Sequence, residues 1–211
     1  MWIHESFGAY AEALFVEHMW GYKEALEYIN GKRPNVRNVD PIIGIYNVQH
    51  EGSGDMYDKG QLVLNTLRSV IDNDSLWFSI IRGLAERYRY KAIAGSDLVT
   101  FVNQKAGTDL GYFFEQYLQH PALPQLDVFI TRKGSITTAR YRWKADVADF
   151  QMPLKVTTSR GRFEFIRPTT TWQTMTIGDL RPEEFAVATE LFYVDVRLNW
   201  MYLDPRLKEA R

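Results

Sequence analysis

The sequence contains no cysteine, which excludes a disulfide scaffold, a thiolate zinc site, an iron–sulfur cluster and a cysteine nucleophile. No run of about 18 apolar residues occurs, so no segment reads as a membrane span. An excess of one charge is lacking too. The 25 Lys and Arg face 26 Asp and Glu, for a net charge of −1, so no global field recruits nucleic acid or anionic lipid. Up to residue 122 there are 11 basic and 15 acidic residues, and beyond it 14 and 11, too small an asymmetry to imply a charged partner. Met1-Trp2-Ile3-His4-Glu5 has neither a basic nor an apolar region and does not read as a signal peptide. What is present suits a folded chain: 45% hydrophobic and 14% aromatic residues over 211 positions. That is enough to bury a core, as one large domain or two small ones.

Two kinds of sequence meet near residue 122. Before it, apolar residues recur at helical spacing. Phe7, Tyr10, Ala11, Leu14, Phe15 and His18 form one stripe, and Tyr22, Ala25, Leu26 and Ile29 mark a second helix. Residues 33 to 54 break the pattern with Pro34, Pro41, Gly44, Gly52 and Gly54; a loop of about twenty residues is often functional when ordered. Further helices are predicted over about 55–71, from an N-cap at Asp74-Ser75 to about Tyr88, from a cap at Ser96, and from a cap at Thr108 through Leu118. After Pro121 and Pro124 the period becomes two. Leu126, Val128 and Ile130 alternate with Asp127, Phe129 and Thr131, and 136–143 and 194–198 read similarly. Such short strands predict an antiparallel sandwich.

Three sets of residues could carry chemistry. Glu5 shares a helix face with Gly8, Ala9, Glu12 and Val16. A glycine inside a helix costs about 1 kcal/mol relative to alanine, so Gly8 suggests the close approach of another helix, with Glu5 aimed at what that helix carries. The alternative is a solvated glutamate favoured by the dipole of a helix N-terminus. Tyr57, at the end of the Gly-rich loop, could donate to a developing oxyanion, or be an ordinary half-buried aromatic. The four histidines, His4, His18, His50 and His120, show no helical ligand spacing, and His18 continues the apolar stripe as a packed residue. Neither His4-Glu5 nor His50-Glu51 completes His-Glu-x-x-His. No nucleophile elbow, Walker loop or dinucleotide fingerprint is present.

Taken together, the segments match a known pattern. Trp2-Ile3-His4-Glu5-Ser6-Phe7-Gly8-Ala9-Tyr10-Ala11-Glu12 resembles the W-L-N/H-E-G/S-F-A-x-Y-x-E segment of the zinc aminopeptidases of the gluzincin clan. Tyr57-Asp58-Lys59-Gly60 resembles that family's Y-x-K-G motif. Phe113 to Leu118, then Pro121 to Leu126, is similar to the end of the catalytic domain and the start of a β-sandwich domain. The match covers roughly residues 1 to 130, in order and spacing.

The resemblance implies an α+β fold: the helical half of a thermolysin-like catalytic domain at 1–122, then an antiparallel β-sandwich domain at 123–211. It implies that Glu5 is the third zinc ligand and that the Tyr57 hydroxyl stabilises the tetrahedral intermediate of peptide hydrolysis. His-Glu-x-x-His should precede Glu5, yet only four residues do, and the substrate-binding G-x-M-E-N segment is absent. The expectation is therefore the C-terminal part of an aminopeptidase whose intact form holds zinc and a peptide substrate. Alone, this chain is expected to hold no zinc at Glu5, to be inactive, and to self-associate through the apolar face left where missing helices pack. No nucleic-acid partner is expected. The competing reading is a non-catalytic protein-binding module on the same fold.

Overall fold

The structure, a computed structural model, describes residues 1–203. The described residues divide into two compact units: Met1–Leu123 with Glu190–Tyr193, and Pro124–Thr189 with 194–203. Their described residues are α+β, with six α-helices, a four-stranded mixed sheet and a two-stranded sheet. No described helix is long and apolar enough to cross a membrane.

The first unit holds α1 (Trp2–Trp20), α2 (Tyr22–Asn30), α3 (Asp58–Ile71), α4 (Asp74–Arg87), α5 (Gly95–Ala106) and α6 (Gly111–Gln119). Its centre is α3, buried without interruption from Lys59 to Ser69. Of the polar side chains this buries, Lys59, Thr66, Arg68 and Ser69 are hydrogen-bonded, while Gln61 Oε1 and Asn65 Oδ1 have no partner among the described residues. Arg68 forks onto Glu17 at 2.6 and 2.9 Å and onto Asp74 at 2.8 and 2.9 Å, and its guanidinium stacks on Tyr22 and Phe78. One cation thereby ties α1, α2 and α4 to α3. Residues Glu190–Tyr193 complete this unit: the Tyr193 N–H donates to Thr66 Oγ1 at 2.9 Å, and the Tyr117 hydroxyl donates to the Tyr193 carbonyl at 2.7 Å.

Periodicity finds the helices but not all their faces or caps. The face of α1 that is buried carries Trp2, Ser6, Tyr10 and Ala13, so that of the expected Phe7–His18 stripe only Tyr10 is buried. Phe15, Met19 and Trp20 are exposed, and so is His18, against the expectation of a packed residue. Asn73, not Asp74-Ser75, caps α4 by accepting from the Leu76 N–H. At α5 the cap residue is Ala94, whose N–H is bound by the Asp97 carboxylate. At α6, Leu110 takes the place expected for Thr108, its N–H held by Asn103 Oδ1.

The second unit holds β1 (Gln125–Lys133), β2 (Ile136–Lys144), β3 (Leu154–Ser159), β4 (Arg162–Ile166), β5 (Gln173–Gly178) and β6 (Asp195–Tyr202). The larger sheet runs β5-β2-β1-β6, and β3 pairs with β4 alone. The expected all-antiparallel arrangement is corrected at one edge, where β6 runs parallel to β1. The cause is local. The Asp195 N–H binds the Pro124 carbonyl at 3.1 Å, so both strands start side by side and leave in the same direction. The long chain between them allows that pairing. Alternation holds as read: Leu126, Val128 and Ile130 of β1 and Ala139, Tyr141 and Trp143 of β2 are buried, while their neighbours form an open face.

Candidate functional site

Glu5 lies in the first turn of α1, its side chain 18% exposed and its Oε1 3.4 Å from Nδ1 of the exposed His4. Tyr57 lies where the long loop ends, between a 3-10 turn at Gly54–Met56 and α3. They lie 52 positions apart in sequence, yet Glu5 is the group that acts most strongly on the Tyr57 phenol. Hydrogen bonding toward the Glu5 carboxylate, then desolvation and the negative charge of Glu5 and Glu51, raise the phenol above its usual range, because ionisation would set anions together. Tyr57 remains 47% exposed, so the pair faces solvent rather than core.

A contact one residue along brings them together. Ser6, wholly buried, donates its hydroxyl to the Met56 carbonyl at 2.8 Å, joining the residue after Glu5 to the residue before Tyr57. Opposite it, Gly60 sits so close that a Cβ there would lie 2.1 Å from Ser6 Oγ and 2.5 Å from Ser6 Cβ. The close approach predicted at Gly8 therefore occurs at Gly60. Gly8 itself meets nothing within 4 Å, and Gly8 and Glu12 are exposed, Glu12 accepting from the Tyr28 hydroxyl.

Three further residues hold the loop and its surroundings, and the sequence assigned none of them a role, although Gly52 marks the loop and Lys59 falls in the Tyr57–Gly60 motif. Asp55 is buried and its carboxylate accepts from the N–H groups of Arg37 at 3.1 Å and Asn38 at 2.7 Å. This fastens the start of the long loop to the residue two before Tyr57. Gly52, at φ +97, passes so near the Ile42 carbonyl that a Cβ would lie 2.3 Å from it, which closes the 42–52 segment on itself. Lys59, also fully buried, donates from Nζ to the carbonyls of Pro121 at 2.8 Å and His120 at 3.3 Å. Burial pushes its ammonium down to about 8, with Asp55 opposing. The available signal for Lys59 was its place in the Tyr57–Gly60 motif; an Asp after a Ser-Gly turn and an N-terminal Ser beside a Glu carried none.

Among the described residues no three His, Asp or Glu side chains gather where they could hold a metal ion. Glu5 offers one carboxylate with His4 beside it. The described residues therefore do not by themselves fit a closed zinc site, which needs three protein ligands in fixed geometry. What the arrangement does provide is a carboxylate and a protonated phenol converging on one solvent-facing spot.

No family model matches the chain, and no curated protein does. Among solved structures, the crystal structure of Legionella pneumophila aminopeptidase A in complex with aspartic acid is similar to 93% of this chain at a TM-score of 0.69 and 11% identity. The chain corresponds to 24% of that protein. The likeness is one of fold, and this chain spans about a quarter of the length of its neighbour.

Proposed function

We propose that this chain is part of a zinc-dependent aminopeptidase, in which Glu5 is one metal ligand and Tyr57 is an oxyanion donor. The observation that carries the reading is the meeting of Glu5 and Tyr57, held by the Ser6–Met56 bond. The shared fold with an aminopeptidase supports it. A phenol kept protonated beside a carboxylate is suited to donate to the oxygen that gains charge as a peptide carbonyl becomes tetrahedral, a contact stronger in the transition state than with substrate. Zinc, when bound, would activate water and polarise that carbonyl. Its remaining ligands would come from outside these residues, so no hydrolytic step is assigned to this chain alone. A second reading, a non-catalytic protein-binding module, is favoured by the exposed Phe15, Met19 and Trp20 on α1.

Two measurements test the proposal. The 211-residue chain should carry no stoichiometric zinc at Glu5 and should not release p-nitroaniline from aminoacyl anilides; one zinc per chain with turnover overturns the expectation that it is inactive alone. The reading frame upstream of Met1 should encode His-Glu-x-x-His one helix before Glu5. If it does, Tyr57→Phe in the longer protein should lower kcat about 100- to 1000-fold, the usual loss for one oxyanion donor. If no such motif precedes Glu5, the peptidase reading fails.

A further inference from the structure

The open face of the four-stranded sheet carries a feature that the peptidase reading does not use. Residues opposite one another in register share a face, so Arg142, Asp127 and Arg197 form one row across β2, β1 and β6, and Arg140, Phe129 and Asn199 form the next. With Trp172 they line a shallow hollow of about 370 Å³. Trp172 is 43% exposed, and two guanidiniums stack on it, Arg142 at 4.6 Å and Arg140 at 5.2 Å from the ring centre. Arg142 also approaches Asp127 at 3.4 Å, while no carboxylate pairs with Arg140 or Arg197 among the described residues. Three cations therefore surround one anion.

The stacking matters more than the count. A guanidinium laid on an indole has its flat face occupied and its N–H edges directed outward, the edge that forks onto a carboxylate. Arg140 and Arg142 are two residues apart on one strand, about 7 Å, and Arg197 lies two strands away, about 10 Å. That spacing suits side chains of an extended segment laid over the sheet rather than one small ion.

We propose that this face is a docking site for an extended, carboxylate-rich peptide segment of a partner protein. Charge complementarity selects the occupant: the hollow holds a surplus of two positive charges, in a chain whose net charge is −1. Two features favour a peptide over single-stranded nucleic acid. Two arginines already lie against the Trp172 ring, where a base would have to compete with them to stack. Asp127, in the middle of the row, is an acceptor that a peptide N–H can use and that a phosphodiester backbone, with no such donor, cannot. The proposal is independent of Glu5 and Tyr57.

The test is fluorescence anisotropy of labelled octaglutamate titrated with the full chain at low ionic strength, beside octaglutamine and an eight-residue oligothymidylate. Saturable one-to-one binding of octaglutamate is expected, with octaglutamine not binding and oligothymidylate weaker. Arg140→Gln with Arg197→Gln should raise the dissociation constant about tenfold or more, as should Trp172→Ala with Arg197→Gln; Arg160→Gln, at the exposed pair with Glu184, should leave it unchanged. All are surface positions, and circular dichroism confirms that each variant folds. No saturable binding of octaglutamate, equal binding by the Arg140/Arg197 variant, or tighter binding of oligothymidylate overturns the proposal.

Discussion

Replacing Gly60 by alanine probes the contact that brings Glu5 and Tyr57 together. The new methyl would sit 2.1 Å from Ser6 Oγ, 2.5 Å from Ser6 Cβ and 3.0 Å from Ser6 Cα. The last of these is backbone and cannot swing away, so α1 and α3 must separate. Overpacking of this kind costs about 2 kcal/mol. Displacing Ser6 Oγ forfeits its bond to the Met56 carbonyl, about 1 kcal/mol more. Alanine in place of glycine inside a helix returns about 1 kcal/mol. The net is a loss of about 2 kcal/mol, a fall in melting temperature of about 4–8 °C for a chain of this size. Differential scanning calorimetry of Gly60→Ala, Ser6→Gly and the double variant completes a cycle. Because Ser6→Gly removes both the hydroxyl and the methylene that collide, the double variant should be more stable than the two single losses predict, by at least about 1 kcal/mol. If Gly60→Ala raises the melting temperature, or if the two losses simply add, the helices do not meet as described.

Three other outcomes are expected. Arg68→Met should cost about 2–3 kcal/mol in chemical denaturation, less than a fully buried pair because Asp74 is 65% exposed and rehydrates; a loss under about 0.5 kcal/mol would show that the fork contributes little. The Lys59 ammonium falls from 10.5 to about 8 through burial. The folded state therefore binds fewer protons than the unfolded between those values, and stability should rise with pH across that window, by up to about 3 kcal/mol. Denaturation of the wild-type chain at pH 7.5 and 9.5 should show that rise relative to Lys59→Met, and parallel pH dependences would refute it. Glu5→Gln should lower the pH at which Tyr57 ionises, read as the tyrosinate absorbance lost on going to Glu5→Gln/Tyr57→Phe; an unmoved transition means the pair does not touch.

The helices were legible because periodicity is a local signal, and short motifs were what pointed to Glu5 and Tyr57. The buried face of α1 was not. Apolar side chains lie all around that helix, so period alone gives two stripes, and what decides is the position of α3, a distant segment. The face with the small residue, Ser6, packs closest, while the larger Phe15 and Trp20 stay outside. Caps failed for a related reason: the group that holds the start of α5 is Asp97, inside that helix, and the one that holds the start of α6 is Asn103, in the preceding helix. Alternation named the strands but could not give direction. The pairing of β6 with β1 depends on where the chain re-emerges at Val194.

The short stretch Glu190–Tyr193 sits among the helices although Pro124–Thr189 must be translated first. Thr66 and Tyr117 therefore wait without their partner while the strand-rich portion leaves the ribosome. Excising residues 1–123 for separate expression would make that wait permanent: the helical portion can be obtained entire only with its late-arriving tetrapeptide supplied, fused by a linker or added as a synthetic strip.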